Sequence, residues 1–140
     1  MRPSQVGITL ILLVAAVLRF RGLSSGIPYA VGVDEPAIMD RVVQMMKTGD
    51  LNPHFFDYPT LYFYIQLFVA CARFLSGAIS HRWISLDQVG AADFYLWGRA
   101  VTALFGTATV YLVYRIGMRW GTRHALLGAG LMAVSSNHIR

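Results

Sequence analysis

Four apolar runs divide the chain, and the polar residues gather between them. The first extends from Val6 to Leu18. The second extends from Leu61 to Ala72 and, past an interruption at Arg73, on to Ile79. The third covers Ala100 to Tyr114 and the fourth Ala125 to Ser136. Within these runs apolar residues are consecutive rather than spaced at three and four, which predicts helices that are hydrophobic all round. Each charge-free run is shorter than the ~20 residues that cross a bilayer. Flanking Arg, Trp and Tyr lengthen each one, because long cationic chains snorkel and aromatic rings settle at the interface.

A helix of another kind is predicted between the first two runs. Asp34-Glu35-Pro36 reads as a helix start, with an acid to cap and a proline suited to the first turn. Ile38, Val42, Met45 and Met46 then recur on one face, and Gly49 is a stop signal. The pattern gives an amphipathic helix of about three turns, suited to lying at a membrane surface. Asn52-Pro53 and Tyr58-Pro59 punctuate the chain before the second run.

Composition sharpens this picture. Hydrophobic residues make up 56% of the 140 and charged residues 14%, against roughly 45–50% and about 25% in globular domains. A water-soluble domain of this size needs more polar surface than the chain supplies. The single cysteine, Cys71, excludes an internal disulfide. Arg2 followed by an apolar stretch resembles the start of a signal peptide, but no small-residue cleavage site follows, so a retained anchor is expected. No basic helix, zinc spacing or RNA-binding aromatic pattern occurs, and no nucleic-acid partner is expected.

The charges are segregated. All seven carboxylates lie between Asp34 and Asp93, and the charged residues of 1–33 and 94–140 are all arginines. Arg115, Arg119 and Arg123 form a short acid-free cluster between the third and fourth runs, which should be cytoplasmic, as should the N-terminus. If the first three runs all crossed, this cluster would fall outside. One run therefore does not cross, and the second, with Arg73, Tyr62, Tyr64, Gln66 and Ser76, is the one expected to be juxtamembrane or re-entrant. The expected fold is all-α and integral to the membrane. It has about three transmembrane helices, at residues 5–20, 96–116 and 123–138, and one long external loop, 21–94, containing juxtamembrane amphipathic or re-entrant helices. The expected location is the plasma (inner) membrane, with the N-terminus cytoplasmic.

Residues able to carry chemistry fall in that loop. Asp34 and Glu35 follow Ala30-Val31-Gly32-Val33. A carboxylate at a helix N-terminus is stabilised as the anion and can accept a proton from an incoming hydroxyl; capping alone would equally place it there. Asp57, beside Tyr58-Pro59, could orient a sugar hydroxyl or be a solvated loop acid. His54 could contact a phosphate or sit at the interface. Arg99, after Trp97-Gly98, suits bidentate phosphate binding or simple anchoring. The four histidines lack zinc-ligand spacing. No Asp-x-Asp pair occurs, so no cofactor is assigned and a divalent metal stays open.

The order of these features resembles the membrane-embedded GT-C glycosyltransferases of the protein O-mannosyltransferase and aminoarabinose-transferase type. The stretches that carry the resemblance are Leu18-Arg19-Phe20-Arg21-Gly22-Leu23, Asp34-Glu35-Pro36 and Gly49 through Pro59, then Gly98-Arg99, Tyr114-Arg115 and Val134-Ser135-Ser136-Asn137-His138. It covers nearly the whole chain; each motif alone is weak, and their order and spacing are more specific. The resemblance implies inverting transfer of a sugar from a polyprenyl-phosphate carrier to an acceptor hydroxyl of a protein, lipid or glycan at the outer membrane face. It implies Asp34 as base with Glu35 as its paired neighbour. It places Arg99 near the carrier phosphate, and His54, Asp57 and Tyr58 among the substrate contacts. Tyr58 stands where aminoarabinose enzymes have a lysine. Such enzymes are several hundred residues long, so a fragment inactive alone is expected. A non-catalytic transporter or scaffold subunit is the rival expectation.

Overall fold

A computed structural model of the chain describes residues 3–29 and 34–135. Arg2, the Ala30–Val33 stretch and the Ser136–His138 part of the last motif lie outside the described residues. The described chain is all-helical, with no strand. Its α-helices are α1 (Pro3–Phe20), α2 (Asp34–Thr48), α3 (Thr60–Ile79), α4 (Tyr95–Gly117) and α5 (Thr122–Val134). Short 3-10 turns stand at Leu86–Gln88, Ala91–Asp93 and Met118–Trp120. Two segments, Thr60–Ile79 and Tyr95–Trp120, are long and apolar enough to cross a membrane by length and composition. The second apolar run therefore has the length of a span, and α5, 13 residues long, takes in the fourth run as far as Val134.

The chain divides into a central unit, Ser24–Arg99, and a terminal unit, Met1–Leu23 with Ala100–Arg140. In the central unit, α2 packs on α3. Met39, Val42 and Val43 meet Phe63 and Ala70, and Trp83, Val89, Phe94 and Tyr95 complete the core. Trp83 stacks on Phe74 with centroids 6.1 Å apart and planes at 8°. It comes so close to α3 that a Cβ at Gly77 would stand 2.2 Å from its ring. Arg73, which breaks the apolar run, lies over the rings of Trp83 and Trp97 at 4.8 and 5.6 Å, where cation–π attraction lowers the cost of its position.

The apolar face of α2 is covered by α3, and this corrects its expected role as a surface-lying helix. The cover exists because α3 is apolar on two faces. One carries Phe63, Gln66 and Ala70 inward, and the other exposes Leu61, Phe68, Leu75 and Ile79. Helix α2 ends where Gly49 adopts a positive φ of 73°, a conformation open to glycine without steric cost.

The terminal unit packs differently. Its buried positions are mostly small: Ala15, Ala125, Ala129 and Ala133, with Val110 and Tyr114. A Cβ on Gly117 would stand 2.7 Å from the Ala125 backbone, and one on Gly128 would touch Val113 at 3.5 Å. Residue 117 thus faces 125 and residue 113 faces 128, so α4 and α5 are antiparallel. Gly7 of α1 faces Leu126, while Arg19 reaches the carbonyls of Met132 and Ala133 at 3.1 and 3.2 Å. So α1 and α5 run in the same direction. Arg19 is buried there, bonded also to Ala15 O at 3.1 Å. Its positive charge complements the carbonyl end of α5.

Candidate functional site

The site of greatest chemical content lies at the first turn of α2. Successive helical residues diverge by about 100°, so Asp34 and Glu35 meet different partners. The Tyr58 hydroxyl donates to Asp34 Oδ1 at 2.6 Å. On the other side, Arg99 donates to Glu35 through Nε at 2.6 Å and Nη2 at 2.7 Å. A third bond runs from Arg99 Nη1 to the Ser25 carbonyl at 2.7 Å. The parallel pair is the fork geometry in which guanidinium and carboxylate bind most strongly. Both side chains of this pair are about four-fifths buried.

Local sequence explains the placement. Arg99 sits in the first turn of α4, just after Gly98. A Cβ at Gly98 would approach Gln66 Oε1 and Met39 Cε, each at 2.8 Å. Gln66 is buried, and its amide reaches the Gly98 carbonyl at 3.5 Å. The missing side chain thus lets α4 start close against α2 and α3. Tyr58 is fixed by Phe55, whose ring lies 5.5 Å from it and 6.1 Å from Phe63. The hydrogen bond to Asp34 pushes the Tyr58 phenol above its ordinary range; burial and the negative charges of Asp34 and Asp57 add to the effect. Tyr58 is therefore a proton donor to Asp34 at neutral pH.

A second feature lies at the other end of α2. A cleft of about 370 Å³ opens between its last two turns and the hook of residues 50–54. Asp40, Arg41, Gln44, Asp50, Asn52 and His54 supply its polar wall, and Met45 and Pro53 its apolar part. The hook is stapled internally. Asp50 Oδ1 accepts from Asn52 N at 2.9 Å, Asn52 Oδ1 accepts from His54 N at 3.0 Å, and His54 Nε2 meets Asp50 Oδ2 at 2.9 Å. Bonding to the Asn52 amide, then to His54, holds the Asp50 carboxyl below its ordinary range. Arg41 donates to Ala37 O at 2.8 Å and lies 4.0 Å over the Phe55 ring.

Four of the residues expected from the sequence therefore meet at one end of α2: Asp34, Glu35, Tyr58 and Arg99. Asp57 is exposed beside them. His54 is carried to the opposite end, onto Asp50. The Arg41 side chain stacks on the Phe55 ring. Sequence reasoning missed the Ser25 carbonyl, which no residue type advertises, and the Asp50–His54 pair, whose i, i+4 spacing was visible. Among the described residues no cluster of three or more His, Cys, Asp or Glu could hold a metal ion. No protein-family model, curated protein or solved structure matches the chain.

Proposed function

We propose that this chain carries the acidic site of a membrane glycosyltransferase that uses a polyprenyl-phosphate-linked sugar, of the GT-C kind. The observation that carries the reading is the division of labour at the first turn of α2. Glu35 is neutralised by Arg99, while its neighbour Asp34 keeps a single phenol donor on Oδ1. In the reaction, the acceptor hydroxyl presents its proton to Asp34 Oδ2. The acceptor oxygen bonds to the anomeric carbon from the face opposite the phosphate. The anomeric C–O bond breaks, and polyprenyl phosphate leaves with the electron pair. The proton stays on Asp34 until solvent removes it. Tyr58 holds Asp34 in place. Arg99, already half of a neutral pair, orients Glu35 and the mouth of α4, and shares the leaving phosphate's charge with further cations. Charge stabilisation of this kind is usually the largest catalytic term.

The membrane topology belongs to the same proposal. Helices α1 and α5 run parallel with α4 antiparallel to both, which brings the N-terminus and the Arg115, Arg119, Arg123 cluster to one end of the terminal unit. With that end cytoplasmic, α1, α4 and α5 cross in alternation, consistent with the positive-inside rule. Parallel α1 and α5 need an odd number of crossings between them. With α4 crossing, α3 then lies against the outer leaflet, its exposed Leu61, Phe68, Leu75 and Ile79 stripe toward lipid. The partners are the lipid-linked donor, a hydroxylated acceptor and membrane lipid.

The test is transfer of radiolabelled sugar from a polyprenyl-phosphate donor in membranes holding the full-length protein. Asp34→Asn should lower turnover by about two or more orders of magnitude, the scale of a lost general base, with the protein still inserted. Wild-type turnover by inserted Asp34→Asn would overturn the assignment and favour a non-catalytic scaffold or transporter.

A further inference from the structure

The cleft at the far end of α2 has no part in the proposed transfer step, yet it is built. We propose that it binds a neutral oligosaccharide, so that the acceptor of the reaction just described is a glycan chain; this rests on that reading. The wall is a set of flat polar groups: Gln44, Asn52 and His54 both donate and accept, Arg41 donates, and the carboxylates of Asp40 and Asp50 accept. Vicinal sugar hydroxyls, each donor and acceptor at once, are matched by such side chains, while the buried Met45 and Pro53 line the apolar part of the cleft. Asp40 and Asp50 outnumber Arg41, which disfavours phosphorylated or acidic ligands. The polar wall disfavours a lipid tail or an apolar peptide side chain.

The hook is set before any ligand arrives. Its three internal bonds, with positive φ at both Gly49 and His54 (73° and 49°), hold Asp50, Asn52 and His54 in one arrangement, so little ordering cost falls on binding. The cleft's volume is at the lower end of small-ligand sites, which fits a sugar ring rather than a folded partner. It also lies a definite distance from the chemistry. Gln44 stands ten residues beyond Asp34 on one helix, roughly 15 Å at 1.5 Å per residue. A monosaccharide cannot occupy both places, so an acceptor using both is an oligomer. The path between them is continuous: Arg41 lies over Phe55, Phe55 touches Tyr58, and Tyr58 bonds Asp34. The glycan's far end is thus read beside the same aromatic group that fixes the base.

The experiment titrates a neutral hexose pentasaccharide, its phosphorylated form and the free hexose into the full-length protein in lipid nanodiscs, by calorimetry. The neutral pentasaccharide should bind about tenfold or more tighter than either of the others. Gln44→Ala and Asn52→Ala should each weaken it about tenfold, the scale of a lost polar contact, and in transfer assays should raise KM for a glycan acceptor while sparing kcat. Gln44 is exposed on a helix and alanine favours helix, so that variant keeps its fold. Equal binding of hexose and pentasaccharide, or undiminished binding by both variants, overturns the proposal. Asp34→Asn separates the two readings. If it abolishes transfer while no glycan binds, this inference alone fails. If glycan binds and Asp34→Asn transfers normally, the cleft stands and the transfer reading falls.

Discussion

The two units are equally apolar to the eye but are held together by different means. The central unit is closed by large rings. Phe63 and Phe94 are fully buried, Trp83 stacks on Phe74, and an arginine lies over two indoles. It also holds every carboxylate of the chain. The terminal unit is closed by alanines and glycines that let backbones approach, and among its described residues the buried Arg19 bonds carbonyls through its two Nη atoms while its Nε has no partner. The first manner of packing is that of a core assembled against water. The second is like that of helices in lipid, where no hydrophobic force separates Leu from its surroundings and close backbone contact decides, and it fits the proposed spans. The contrast teaches that hydropathy alone merges two kinds of segment, and that side-chain size at the contact tells them apart.

The contrast can be broken most forcefully at Phe63. Phe63→Ala should cost about 3–5 kcal/mol, seen as early protease cleavage of 24–99 with α1 and α5 still protected. Next is Glu35→Gln, which leaves a mostly buried Arg99 without its anion and should cost the central unit about 2–4 kcal/mol. Thermal melting should show the loss, and Glu35→Gln with Arg99→Met should recover part of it. In the terminal unit the sharpest change is Gly117→Ala. The added methyl meets backbone, which cannot rotate away, and overpacking of this sort costs about 1–3 kcal/mol. Crosslinking between cysteines placed at 113 and 128 should fall, and an unchanged yield would show that the helices separate without cost.

The smallest effect concerns acid. The carboxyl of Asp50 is held below its ordinary range in the folded chain, so it stabilises the hook above the unfolded value. That contribution fades as pH falls through the lower folded value. Carboxyl NMR should show Asp50 titrating below the ordinary carboxylate range, and Asn52→Pro, which removes the amide donor, should raise its midpoint.

The number and order of α-helices were legible because four runs and one amphipathic period are strong signals. The second expected span, 96–116, and α4 at Tyr95–Gly117 differ by a residue at each end, since Trp-Gly-Arg at its start and Tyr-Arg at its close mark its limits. The start of α2 at Asp34 and its stop at Gly49 were also readable. The cover on its apolar face was not. Its period says that one face is apolar but not what lies on it, and only the two-faced character of α3 supplies the answer. Of the site, Asp34, Glu35, Tyr58 and Arg99 were each visible and their pairings were not. Arg99 lies 64 positions from Glu35 and Tyr58 lies 24 from Asp34, so neither pairing leaves a local pattern. His54 stands apart from that group, on Asp50 at the other end of α2, a separation that its nearness in sequence to Tyr58 does not show.

Arg19 has a consequence for the order of events during synthesis. Its partners at 132 and 133 are made more than a hundred residues after it. At about 5–20 residues per second the guanidinium waits roughly ten seconds for the carbonyls that will shelter it. Through that interval α1 ends in a charge with only the Ala15 carbonyl from its own helix, which favours keeping that end near the water. The contacts of residues 24–99 all become available before α5 exists. The pairings at the first turn of α2 can thus form first, and the first helix is locked last.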